Sequence, residues 1–364
     1  MSTSDNDRAM KTRIKHVDTP PYTKAGTVNR YNPRNNLFNR KYWDKTVQEH
    51  QLESGENFRG KLQGEDGLFN LAAWSGAWYI AHLDNCSESN DGAHGDDTGL
   101  YRWEGWDNSL RDELAGSGTT DLPYKPGNLA EFSQKVKKLA VYFGASAAGI
   151  CRLNRDWLFS HNYYFKTDTT EPLEVDESIQ YAVVMLFEMR QDTLETTPEF
   201  PASIETGFAY SRMAVTAATV GQVIRSLGYR AIPAGNDTAL SIPLAIDAGL
   251  GQLGRNGLLV TPQYGSRVRI AKVLTDMPLE PDSPVDFGLT EICNTCKRCA
   301  RACKVDAISF EEMTPEGPNF SNNPGVMKWY LNAERCYRFW SENGLDCSTC
   351  ITSCPFSSRG LDNM

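Results

Sequence analysis

Eight of the ten cysteines fall between residues 293 and 354, and their spacing is the most chemically specific feature of the chain. Cys293, Cys296, Cys299 and Cys303 read C-x2-C-x2-C-x3-C, a spacing with which a tight loop wraps three thiolates around one face of a cuboidal iron–sulfur cluster. Cys336, Cys347, Cys350 and Cys354, followed by Pro355, repeat the second half of that pattern with the first member displaced upstream. Where two such clusters share a domain, the last cysteine of each run crosses to the other cluster. This assigns Cys293, Cys296, Cys299 and Cys354 to one 4Fe–4S cluster and Cys303, Cys336, Cys347 and Cys350 to a second. Lys304 replaces the usual proline, which touches the turn and not the ligands. Structural zinc prefers separated pairs of ligands, and disulfides fit this spacing poorly. Cys86 and Cys151 stand apart and read as ordinary thiols. Two clusters carry single electrons, so they would feed a redox centre elsewhere, for which residues 126 to 285 are the place.

The rest of the chain must position that centre. At 364 residues it exceeds one ordinary core, so a large domain plus an appendage is expected. A formal charge of -9 gives no footprint for a phosphate backbone, which argues against nucleic acid and for a small-molecule substrate. No run of about 18 apolar residues is present to span a bilayer. Residues 1–125 are rich in Asn, Asp, Gly and aromatics, with Trp74, Trp78, Trp103 and Trp106 close together, and read as loops with short helices. The acidic stretch 87–97 reads as a solvated loop without EF-hand spacing. From Asn128, a cap residue, Leu129, Phe132, Val136, Leu139 and Phe143 follow a helical rhythm that stops at Gly144. Residues 181–187 (YAVVMLF) read as a strand buried on both faces. A helix over 207–227, strands at 230–233, 257–261 and 267–274, and a helix ending near Gly249 complete a layered mixture of helix and strand.

Taken together, ETGFAYSRMAV (205–215), the segment 231–276 and both cysteine motifs resemble the corrinoid-dependent reductive dehalogenase family, over roughly residues 126 to 356. The resemblance implies an α+β protein. Its parts would be an N-terminal loop-rich region covering the active site (1–125), a nitroreductase-like α/β corrinoid-binding core (126–285), and a C-terminal ferredoxin-like two-cluster domain (286–364). It implies a base-off corrinoid in the core, reduced to Co(I) by electrons passing singly through the two 4Fe–4S clusters, and replacement of a halogen of an organohalide by hydrogen. Tyr210 would supply the proton, with Arg269 and Asn236 beside it. Thr206 and Trp340 fall at pocket positions, and Gly254, Arg255, Asn256 and Gly257 resemble a corrinoid-contacting loop, where residues without a Cβ would let a planar macrocycle approach.

Seen without the family, Tyr210 is an aromatic on a helical segment, Arg269 a surface arginine alternating with Val268 and Ile270, and Asn236 a turn residue. An ordinary phenol gives up its proton near pH 10, so a permanently charged guanidinium that stabilises the anion is the chemically useful neighbour. The tryptophans would suit an apolar pocket for an organohalide. An epoxyqueuosine reductase-like corrinoid enzyme is the nearer alternative, but it uses an aspartate as its acid. A non-catalytic corrinoid-handling or electron-transfer protein is the further one, and it would not need the Tyr210 group. The resemblance also implies an external electron donor, a small integral membrane anchor protein, a possible homodimer, and a mature, signal-cleaved form on the outer (periplasmic) face of the cytoplasmic membrane. The chain would be cytoplasmic if the given N-terminus is native.

Overall fold

The computed structural model describes residues 14–64, 66–83, 100–101, 103 and 123–359. Cys86, Trp106 and the acidic stretch 87–97 lie outside the described residues. Among the described residues no helix is long and apolar enough to cross a membrane.

The N-terminal region carries two substantial helices, α1 (Lys45–Gly60) and α2 (Gly67–Leu83), where loops with short helices were expected. Asp44 caps α1, its carboxylate accepting from the Thr46 amide at 3.0 Å. Helix α2, GLFNLAAWSGAWYIAHL, is apolar around most of its circumference, so no clean stripe marks it in the sequence. Helix α3 (Leu129–Tyr142) runs as its rhythm predicts: Asn128 accepts from the Glu131 amide at 3.1 Å, and Gly144 follows at φ +120°.

The core is a four-stranded antiparallel sheet of β1 (Ala147–Arg152), β2 (Tyr181–Glu188), β3 (Ala231–Ala234) and β4 (Val268–Thr275), in spatial order β1-β2-β4-β3. Helices cover both faces, so β2 is buried almost throughout, as its unbroken apolar run requires. One face presents Val183, Met185, Phe187, Ala271 and Val273 to α3 and to the long helix α4 (Phe200–Ser226). The other presents Val184, Leu186, Ile270 and Leu274 to α5 (Ser241–Asp247) and to Trp157 and Leu158. Each fully buried large side chain contributes about 1.5–3 kcal/mol. Helix α4 starts upstream of the expected position, with Pro201 in its first turn. It is lined with Ala202, Gly207, Ala209, Ala214, Ala217 and Gly221, which let α2 and the sheet come close. The strand expected over 257–261 is only Leu259–Val260, paired with Gln252–Leu253.

The cysteine-rich part contains α6 (Leu289–Cys296), α7 (Arg298–Ala302) and α8 (Ala333–Asn343), with short helical turns at Thr349–Thr352 and Pro355–Arg359. Lys297, between α6 and α7, adopts φ +48°, a left-handed kink that turns the chain between Cys296 and Cys299. The N-terminal region is laced onto both other parts. Lys15–His16 pairs with Val285–Asp286, Thr23–Lys24 pairs with Val326–Met327, and the Asn57 amide donates to the Ser341 carbonyl at 3.0 Å. Arg40, 4% exposed, is held by Asp44 at 2.5 Å and Glu334 at 2.6 Å, so its buried charge is paired on two sides.

Candidate functional site

Three elements converge on the Tyr210 hydroxyl. Tyr210 lies on α4, Asn236 on the loop leaving β3, and Arg269 near the start of β4. The Asn236 amide nitrogen donates to the Tyr210 oxygen at 3.1 Å, and an Arg269 guanidinium nitrogen donates at 3.3 Å. The residues singled out by resemblance are therefore neighbours in space. Alternation along β4 sets Arg269 away from Val268 and Ile270, but toward α4 and not toward open solvent: it is half-buried, and its Nε is cut off from water with no partner. Asn236 is exposed and Tyr210 half-buried, which leaves the hydroxyl end of the group approachable.

Aromatic rings wall the site. Trp78 of α2 stacks on the Tyr210 ring, centroids 5.5 Å apart and planes 27° from parallel, and its neighbour Trp74 donates to the Ser203 hydroxyl at 3.0 Å. Gly207 makes this possible: a Cβ there would stand 2.4 Å from Trp78 ring atoms. Gly235 does the same for Tyr101, 3% exposed, whose ring would lie 2.8 Å from an added Cβ. The Asn236 loop is set from within by Asp237, which accepts from the Gly235 amide at 2.7 Å and the Thr238 hydroxyl at 2.8 Å.

The other carried-over positions have more varied surroundings. Thr206, one residue before Gly207, is 3% exposed and its hydroxyl has no partner. Trp340, on α8, packs its ring 5.8 Å from Phe38, and its indole N–H is likewise buried without a partner. Among the described residues nothing partners these atoms, and buried polar atoms ordinarily have partners. The loop 254–257 is spent on the cysteine-rich part. Arg255, fully buried, donates to the carbonyls of Cys293 at 2.9 Å, Ser309 at 2.7 Å and Glu311 at 3.1 Å and lies over the Trp329 ring. Asn256 donates to Ser266 at 3.2 Å. Gly254 is required by Val260, 2.7 Å from an added Cβ, and Gly257 by its φ of +74°. A close contact at Gly254 and a left-handed backbone at Gly257 thus each call for a glycine on local grounds.

The eight cysteines gather in two sets. Cys293, Cys296, Cys299 and Cys354 lie within electrostatic reach of one another, as do Cys303, Cys336, Cys347 and Cys350, and Cys350 also feels Cys299. Burial, reinforced by like-charged neighbours, pushes Cys293 and Cys336 up to about 12 and Cys299 up to about 11, and raises Cys350 well above the ordinary thiol value. Thiols so desolvated become thiolates readily only when a cationic centre is bound. Several sulfurs already accept amide protons, Cys303 from Ala307 at 3.3 Å and Cys347 from Thr349 at 3.5 Å. Among the described residues no three His, Cys, Asp or Glu side chains are gathered for a single metal ion. Thiolates that bind separate irons of a cuboid have no need to be.

Lys272 was not singled out by the sequence. It is a fully buried cation in the centre of β4. Its one visible signal is a lysine between the apolar residues Ala271 and Val273 of the strand.

Residues 292–358 match the family model described as a 4Fe-4S dicluster domain. The chain is similar to the tetrachloroethene reductive dehalogenase of Sulfurospirillum multivorans, 35% identical over 256 residues, which cover 64% of this chain and 51% of that one. It is similar to the tetrachloroethene reductive dehalogenase of Desulfitobacterium hafniense, 45% identical over 179 residues, which cover 48% of this chain and 32% of that one. Its fold is that of the catabolic reductive dehalogenase NpRdhA, with a TM-score of 0.70 at 25% identity, covering 96% of this chain and 44% of that one. The chain thus spans about half the length of these relatives or less. An α+β core is joined to a segment that matches a dicluster iron–sulfur domain. The chain belongs to the reductive dehalogenase family.

Proposed function

We propose that the chain catalyses reductive dehalogenation, replacing a halogen of an organohalide by hydrogen. The observation that carries this reading is the Tyr210 hydroxyl held between Asn236 and Arg269 beside a stacked Trp78. The reaction consumes two electrons and one proton and releases halide, so it needs an acid and an electron route in one molecule. The eight cysteines would hold two 4Fe–4S clusters, which supply electrons singly. When bound, a corrinoid supplies a reduced cobalt that delivers those electrons to the carbon–halogen bond.

The polar atoms of Thr206, Arg269 and Trp340, buried without a partner among the described residues, fit such a guest. Tyr210 gives its proton to the carbon that loses the halogen, and the permanently charged Arg269 stabilises the phenolate left behind. Asn236 orients the hydroxyl, and Trp78 excludes water from one side of the ring. Solvent then returns the proton.

An organohalide of unassigned structure, an external electron donor, a small integral membrane anchor, a homodimer, and residence on the outer face of the cytoplasmic membrane complete the proposal. Anaerobic reconstitution with iron, sulfide and cobalamin, then metal counting and a halide-release assay with reduced viologen on an organohalide panel, tests it. About eight irons and one cobalt per chain with halide release support the reading. Full metal loading without halide release from any substrate overturns it.

A further inference from the structure

Lys272 lies mid-strand in β4, opposite Val184 on one side and Ala234 on the other, with none of its surface exposed. The two-residue period of the strand sends it to the face opposite Arg269, among Ile270 and Leu274. Its ammonium donates to the Gly235 carbonyl, to the Ala239 carbonyl at 2.9 Å and to the Ser241 hydroxyl at 3.0 Å. That satisfies all three of its N–H donors. Ser241 in turn donates to the Gly235 carbonyl at 3.2 Å, closing the set.

Gly235 and Ala239 bracket the residues that carry Asn236 across to Tyr210. Without the ammonium, their carbonyl dipoles would point at one buried spot with nothing to draw them together. The loop they bracket is also strained, since Thr238 sits at φ +64°. A buried lysine is costly, and burial lowers this one to about 8 against the pull of Asp237. An apolar residue would suit the sheet better, so the ammonium needs a reason.

We propose that Lys272 is a positioning residue, whose three-way clamp on Gly235, Ala239 and Ser241 sets the loop conformation that presents the Asn236 amide to the Tyr210 hydroxyl. Its consequence for turnover rests on the reading of Tyr210 as the acid; the clamp itself does not.

The test is the ¹⁹F spectrum of the cluster-loaded protein with 3-fluorotyrosine at position 210, where the fluorine reports hydrogen bonding at the adjacent hydroxyl. Lys272→Met is expected to move the resonance in the same direction as Asn236→Ala, with no further movement in the double variant. Halide release should fall about tenfold in kcat with KM little changed. A wild-type resonance position in Lys272→Met, or additive shifts in the double variant, overturns the clamp. If Lys272→Met cannot be recovered folded, Ser241→Ala removes one acceptor and decides the matter. A smaller shift in the same direction supports the clamp, and an unmoved resonance refutes it. Shared ¹⁹F shifts with undiminished halide release in Asn236→Ala would uphold the clamp and overturn the catalytic reading of Tyr210.

Discussion

Arg269 engages Tyr210 in two ways at once: a guanidinium nitrogen donates to the hydroxyl at 3.3 Å, while the guanidinium carbon lies 4.9 Å from the ring centroid. The cation therefore attracts the π-face of the neutral phenol and, more strongly, the oxygen of the phenolate. A group that favours the product of proton donation more than its starting state lowers the barrier between them.

Arg269→Gln should accordingly lower kcat for halide release by about 10²-fold while leaving KM and iron content near wild type. Arg269→Lys should retain part of the rate, because an ammonium keeps the charge but not the planar fork that reaches oxygen and ring together. Steady-state kinetics on matched, equally loaded samples measure this. Equal rates for Arg269→Gln and wild type would remove the guanidinium from the mechanism.

Gly207→Ala tests the wall of the site. A Cβ 2.4 Å from Trp78 ring atoms cannot be accommodated without displacing that ring from Tyr210 or parting α2 from α4. Overpacking of this kind costs about 1–3 kcal/mol. A lowered Tm by circular dichroism together with slower halide release is expected. An unchanged Tm would mean that α2 does not pack on α4 in this way.

The clasp of the N-terminal region is pH-sensitive through Asp247. Tyr22 donates to one of its oxygens at 2.8 Å and Trp157 to the other at 3.1 Å. Burial dominates these bonds and raises the carboxyl from its ordinary value of 3.8 to about 6. The sign follows from linkage: between those values the folded chain holds a proton that the unfolded chain releases. The stabilising contribution is thus present at low pH and lost as pH rises through about 6. Asp247→Asn does not titrate, so the Tm of wild type relative to that variant should fall between about pH 4 and 6.5 and level off above. A constant difference across that range would contradict the raised carboxyl.

What could be read from the sequence was whatever a local pattern dictates. The cysteine runs, the Asn128 cap with its helical rhythm, and the apolar run of β2 are each written in consecutive residues, and each matches an element or a matched domain. Helix α2 was missed because its solvent face also carries large apolar residues, Leu68, Phe69 and Tyr79, which erases the period that marks a surface helix. Tyr210, Asn236 and Arg269 lie on three elements up to 59 residues apart, so no spacing rule unites them, and only a family resemblance drew them together. The contacts of Arg255 and Asn256 were out of reach for the same reason. Their partners are backbone carbonyls and a serine brought close by tertiary folding, as with the Cys293 carbonyl 38 residues away.

The central claim is that Tyr210 delivers the proton, and the most direct measurement is halide release by Tyr210→Phe reconstituted with iron, sulfide and cobalamin. The substitution removes one oxygen and keeps the ring under Trp78, so metal content and fold should match wild type while kcat falls by about 10²-fold or more. Full turnover by a Tyr210→Phe protein with both clusters and corrinoid in place would contradict the account.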